Sequence, residues 1–310
     1  MMKKWNVFFL MTAAAASLAA CGGQKAETVK APGSAASGAE TTETKKDADT
    51  KAEDAEGTTA AGAKAGSETE AMEPSAGSTG GKLIVGFDQE FPPMGFIGDD
   101  GDYTGFDLDL AKEVAKRLGM EYQAQPIAWD SKDMELESGN INCIWNGFTM
   151  TGREDDYTWS EPYMENAQVF VVKKDFGIAS QADLADKIVE VQMDSSGQKA
   201  LEADPELTGT FGQLITTPDY NTAFMDLEQG AVDAICMDEI VAAYQIKERD
   251  ADMTILPDKL SAEQYAVGFK KGNTELCDQV NKTLEEMAAD GTLAKISEKW
   301  FNEDITIIGK

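Results

Sequence analysis

Lys82-Leu83-Ile84-Val85-Gly86-Phe87 is a nearly unbroken apolar run that ends on Asp88. A run of that length, closed by a polar residue, predicts a buried strand. Phe91-Pro92-Pro93-Met94 follows, and its two prolines forbid a regular element there. From Leu108 to Leu118 the apolar positions Leu108, Leu110, Val114, Ala115 and Leu118 fall near helical spacing, and Gly119 suits the stop. Tyr122 to Ile127 predicts the next strand, Met134 to Gly139 the end of a helix, and Ile141 to Trp145 another buried strand. The order β-α-β-α-β is that of a doubly wound sheet.

The same pattern then returns. Leu136-Glu137-Ser138-Gly139-Asn140-Ile141-Asn142-Cys143-Ile144 is paralleled by Leu227-Glu228-Gln229-Gly230-Ala231-Val232-Asp233-Ala234-Ile235. Upstream, Lys187 to Gln192 echoes Lys82 to Phe87, with an acidic-polar turn, Asp194-Ser195-Ser196-Gly197, after it. Two similar halves predict an α/β protein of two lobes, a doubly wound sheet in each, with strand ends facing a shared cleft. Gln168 to Val172 and Gln264 to Phe269 read as paired crossover strands forming the hinge. Residues 274–301 are helical, interrupted at Asp290-Gly291, and return to the first lobe. The expected boundaries are 82–171 with 269–310 for lobe 1, and 172–268 for lobe 2.

The first 81 residues follow different rules. Lys3 and Lys4 precede an apolar stretch from Val7 to Ala20, the plan of a signal peptide over 1–20. Leu18-Ala19-Ala20-Cys21 resembles the lipobox of bacterial lipoproteins, which implies cleavage before Cys21 and lipid attachment to it. Residues 21–81 have no aromatic residue and few bulky apolar ones, so they cannot offset the entropy of ordering. They read as a disordered tether with a reach of about 45 Å. Over all 310 residues the net charge is −29, and there is no histidine. The tether, with 6 lysines against 11 acids, accounts for little of that charge. The folded part is therefore acidic, which argues against a nucleic-acid partner. The absence of histidine removes the commonest general base and a common zinc ligand. Cys21, Cys143, Cys236 and Cys277 have no CxxC spacing, so neither metal nor cofactor is expected. Cys143 and Cys236 sit in apolar strands and read as inert core thiols.

Chemistry gathers where the strands stop. After Ile141 to Trp145 the chain supplies Asn146-Gly147, then Thr149, Thr151 and Arg153. Hydroxyls, turn carbonyls and a guanidinium at a strand end suit a small carboxylate. The corresponding end in the second half offers Asp238, a counter-charge for an ammonium group.

Residues 82–310 resemble the family-3 extracytoplasmic solute-binding proteins of polar amino-acid ABC transporters. The likeness rests on FPPM, YTGFDLDLAKEVAKRLG, LESGNINCIWNGFTMTGR, DYTWSEPY, QMDSSG, GAVDAICMDEIVAAY and DGTLAKISEKWF, in that order. It implies a periplasmic-binding-protein-like fold and a receptor that closes on a polar amino acid. It also implies a site. The ligand carboxylate would meet Arg153 and the N–H groups of Thr149 and Ser196, in a turn that begins with Ser195. The α-ammonium would meet Asp238, the Gly147 carbonyl and the Thr149 hydroxyl. Phe91 and Trp129 would sandwich the side chain, and Asp88 would read its tip. The implied partners are the transmembrane subunits of an ABC permease and, through the lipid on Cys21, the outer face of the cell membrane. The protein is expected to be a monomer and not an enzyme. The alternatives are a dehydratase-like enzyme on the same fold, or a sensory module for a signalling partner. Three departures from the family pattern stand out: one residue fewer before Arg153, Asp194 where glycine is usual, and Asn142 for a common aspartate.

Overall fold

Three of the predicted strands lie side by side and parallel in the first sheet. Its order is Glu121–Pro126, Lys82–Phe87, Cys143–Ile144, Gly268–Phe269 and Thr158–Trp159, the last two joined through antiparallel pairs. This is a computed structural model in which residues 81–310 are described. The expected signal peptide, the tether and Cys21 lie outside the described residues.

The second sheet repeats the plan. Gln213–Thr217, Ile188–Gln192 and Ala234–Asp238 run parallel, and Met164–Lys173 adds antiparallel to the last of them. Met253–Ile255 and Ser261–Tyr265 both pair with Met164–Lys173. In each sheet the first strand of the unit is central, because the connecting helices carry the chain to either side of it. The sequence echo is a structural one. Asn142 Oδ1 accepts from the Ile84 N–H at 2.7 Å, and Asp233 Oδ2 accepts from the Ile188 N–H at 2.8 Å. Asn142 thus fills the role that aspartate fills in the second half. These bonds align Ile84 with Ile188, one residue off the Lys82-to-Lys187 alignment read from the sequence. Asp88 therefore corresponds to Gln192.

The lobe boundary expected at 171/172 is corrected. Apart from an isolated bridge between Met164 and Thr306, Met164–Lys173 pairs along its length with strands of the second sheet, so the chain changes sheets between Trp159 and Met164. The ladder decides this: a ten-residue strand cannot leave its sheet midway without breaking hydrogen bonds. The return crossing lies between Tyr265 and Gly268. The two hinge strands pair antiparallel, Tyr265 opposite Met164.

Helices 106–118, 274–289 and 292–301 cover one face of the first sheet, burying Leu108, Leu110, Val114, Val280, Leu284 and Leu293. The first of them starts hard against the two-proline loop. Phe106 N–H donates to the Pro93 carbonyl at 2.7 Å, and Asp107 N–H to that of Met94 at 3.0 Å. Gly105, with φ 147°, permits this: a Cβ there would lie 2.2 Å from the Met94 carbonyl oxygen. Gly105→Ala is expected to destabilise the protein by about 3 kcal/mol, from backbone strain plus the clash. Urea unfolding followed by circular dichroism measures it, and a wild-type midpoint would show that the approach is not tight.

Candidate functional site

Each sheet presents its strand ends to the gap between the lobes. Asp88 follows Lys82–Phe87, and the stretch from Asn146 to Arg153 follows Cys143–Ile144. Gln192 and Asp238 end two strands of the second sheet. Together they bound a narrow cleft that is partly open to solvent. All nine residues expected at the site line it: Asp88, Phe91, Trp129, Gly147, Thr149, Arg153, Ser195, Ser196 and Asp238. Asn146 and Gln192, which the sequence reading missed, line it too. Gln192 carried a signal, since the corrected repeat places it opposite Asp88; Asn146 follows from its place between Trp145 and Gly147.

Arg153 reaches the cavity despite the missing residue before it, because Thr151-Gly152 makes a tight turn closed by the Arg153 N–H on the Met150 carbonyl at 2.8 Å. The side chain is buried. Its Nη1 donates to the Thr149 carbonyl at 3.1 Å, and its guanidinium carbon lies 5.3 Å from the centre of the Phe148 ring. Nε is buried and has no protein acceptor. Across the gap, Ser195 caps the helix Ser196–Ala203 by accepting from the Gln198 N–H at 3.1 Å. The N–H groups of Ser196 and Gly197 open that helix and so lack an intrahelical acceptor. A guanidinium and a helix N-terminus on facing walls are suited to one carboxylate.

The opposite polarity is built beside it. Asp238 is buried, and its Oδ1 accepts from the Tyr265 hydroxyl at 2.6 Å and from Asn166 Nδ2 at 2.7 Å. The same Asn166 Nδ2 donates to Glu263 at 2.5 Å. Burial first, and the nearby Glu263 carboxylate second, push the Asp238 carboxyl well above the usual carboxylate range. Among the described residues no ion pair joins a cation to it. Gly147 faces it from the first lobe at φ 56°, where a Cβ would press on the Phe91 and Tyr265 rings at 3.1 Å. The Gly147 N–H donates to Asp107 at 2.5 Å, which fixes the peptide on the cavity wall. Thr149 Oγ1 donates to Ser196 Oγ at 3.2 Å, a bond between the lobes.

Asp88 forms the far end. Its Oδ2 accepts from Gln192 Nε2 at 2.7 Å, again across the lobes, and its Oδ1 from the Glu90 N–H at 2.8 Å. Burial raises its carboxyl to about 6. Trp129 meets the Phe148 ring edge-on at 5.6 Å, and Phe91 meets Tyr220 of the second lobe at 5.9 Å. Cys143, Cys236 and Cys277 are free and buried.

This geometry accords with the comparisons. Residues 83–303 match the bacterial extracellular solute-binding proteins, family 3. The L-cystine-binding protein TcyJ of Escherichia coli (strain K12) is 34% identical over 229 residues, 73% of this chain and 85% of that protein. A solved ABC uptake transporter substrate-binding protein from Streptococcus pneumoniae with bound histidine is 36% identical. It superposes with a TM-score of 0.71 over 73% of this chain and 94% of its own. An ancestral arginine-binding protein bound to glutamine is 38% identical, with a TM-score of 0.66 over 72% and 99%. The chain belongs to the family-3 bacterial extracellular solute-binding proteins.

Proposed function

We propose that this protein is the extracytoplasmic receptor of an ABC uptake transporter, and that it captures an amino acid whose side chain donates hydrogen bonds or carries positive charge. One observation carries the reading. Arg153 and Asp238, one at the strand ends of each lobe, line a single cleft, Arg153 with a buried N–H that has no protein acceptor and Asp238 with no cation paired to it among the described residues. A zwitterion presents those two groups at a fixed separation, and closing over it strengthens both pairings by excluding water. Beyond them the cavity lining has one more charged group, Asp88, an acid. With Arg153 and Asp238 offset by the zwitterion, Asp88 favours a basic or amide side chain and disfavours an acidic one. A thermal-shift screen over the twenty amino acids with cystine and ornithine tests this. At least one is expected to stabilise the protein by several degrees, and no shift at millimolar concentration overturns the reading. In the same reading the lipid on Cys21 tethers a monomer that delivers its cargo to the permease. A chain carrying Cys21→Ala is expected to leave the membrane fraction.

Asp88 gives the screen a pH signature. Burial in the closed cleft raises its carboxyl to about 6, so there it is mostly charged at pH 7.5 and mostly neutral at pH 5. A cationic side chain is held by the charged form only. The ratio of arginine (or ornithine) affinity to glutamine affinity is therefore expected to fall roughly tenfold between pH 7.5 and 5, about one pKa unit of coupling. Asp88→Asn should flatten that ratio, and isothermal calorimetry with both amino acids across that range reads it.

A further inference from the structure

We propose that Lys132 and Asp194 form a latch between the lobes, one that sets how firmly this protein holds its amino acid without touching it. The proposal rests on the reading of the lobes as closing jaws. Lys132 opens the short helix Lys132–Glu137 of the first lobe, and Asp194 sits in the turn after Ile188–Gln192 of the second. Neither bounds the cavity, yet they meet at its rim beside Arg153. Lys132 Nζ donates to the Asp194 carboxylate, to the Asp194 carbonyl at 3.3 Å and to the Trp129 carbonyl at 3.5 Å. Arg153 Nη2 also donates to the Asp194 carbonyl, at 3.4 Å. Both cations of this corner of lobe 1 thus clasp one residue of lobe 2.

The two partners differ in exposure, and that difference makes the pair a latch rather than a surface ion pair. The Lys132 side chain is 1% exposed, while that of Asp194 is 40% exposed. An ammonium so far from water is tolerated when a carboxylate and carbonyls surround it, and two of its three acceptors belong to the other lobe. Parting the lobes removes those acceptors but also readmits water to Lys132. Removing the Asp194 carboxylate while the lobes stay shut leaves a buried, half-satisfied ammonium. Closure then becomes the unfavourable step. The pair also explains why an acid stands where glycine is usual. Asp194 adopts φ 56°, a conformation that costs a side chain more than it costs glycine, so the turn itself gains nothing from aspartate. The carboxylate is kept for what it meets across the gap.

That backbone supplies a clean test. Asp194→Gly removes the carboxylate and relieves the turn, so the melting temperature of the amino-acid-free protein should hold or rise. Calorimetry with L-arginine, L-cystine, L-histidine and L-glutamine as probes, together with interlobe single-molecule FRET with and without them, reads closure. Asp194→Gly and Lys132→Met are each expected to lower affinity at least tenfold, through faster release, and to deplete the closed population. The double variant should be no worse than the worse single one, since it leaves no unpaired buried charge. Unchanged affinity and closed population in both single variants overturn the latch. So do losses that multiply in the double variant, or a wild-type protein that never closes. If the wild type binds none of the four probes but still closes, the FRET cycle alone decides the latch, and the proposed function fails only if the full thermal-shift screen is blank as well.

Discussion

Arg153→Met is expected to weaken amino-acid binding about a thousandfold, some 4 kcal/mol, because it leaves a buried ligand carboxylate without its counter-charge. Methionine keeps much of the arginine stem, so lost packing contributes little. The wild-type guanidinium is already positioned. Nη1 is tied to the Thr149 carbonyl, the guanidinium carbon lies over the Phe148 ring, and the Arg153 carbonyl accepts from Trp159 Nε1 at 2.9 Å. What remains is Nε, buried and without a protein acceptor. Arg153→Lys should recover only part of the loss, since an ammonium cannot hold Thr149 and a carboxylate in one plane. Calorimetry with the best amino acid from the thermal-shift screen measures both variants. Full affinity in Arg153→Met would sink the assignment of Arg153 to the carboxylate.

Asp238→Asn is expected to cost between a hundredfold and a thousandfold in affinity, while the unliganded protein melts at the wild-type temperature or above it. The two effects have one cause. Burial and the Glu263 carboxylate raise the Asp238 carboxyl above its ordinary value, so closing an empty cleft over its charged form is unfavourable. The sign follows: closing the empty cleft grows harder as pH rises above the carboxylate's solvent-exposed value, and an α-ammonium removes that obstacle by bringing its own positive charge. Asparagine keeps an acceptor for Tyr265 and Asn166 but pays no charge-burial cost, and it turns an N–H₂ toward the ammonium. Differential scanning calorimetry without amino acid and titration with it separate the two. Binding that survives the substitution would move the ammonium site elsewhere, Glu263 being the nearest acid.

Much of this was legible in the chain because much of it is local. The strand Lys82–Phe87, the helix Phe106–Leu118 stopped by Gly119, and the paired turns at Gly139 and Gly230 are each decided within a dozen residues by apolar spacing and a glycine. Part of the site could be read directly because strand ends in such sheets converge, so a charge or hydroxyl just past an apolar run is already near the cleft, while Phe91, Trp129, Ser195 and Ser196 were implied by the family resemblance. Asp88, Gly147, Thr149, Arg153 and Asp238 all stand in that relation to a run.

What the sequence did not reveal is set by partners far away along the chain. Met164–Lys173 looks equally suited to either lobe until its pairing with Ala234–Asp238 and Ser261–Tyr265 places it in the second. Gln192 becomes a cavity residue by meeting Asp88, 104 positions earlier. Nothing local in the chain marks Lys132 as buried; its ammonium is taken from water only where Asp194 of the other lobe meets it. Glu263 lies in an edge strand of alternating pattern, and only the shared Asn166 amide turns it into the neighbour that raises Asp238. Alone, then, the sequence determined the elements, their repetition and the chemical types at the strand ends, since backbone conformation and burial pattern answer to nearby residues. The tertiary structure decided which lobe each hinge strand serves and which charges face one another. Electrostatic pairing depends on distance in space, and closing two lobes brings together groups that the chain keeps apart.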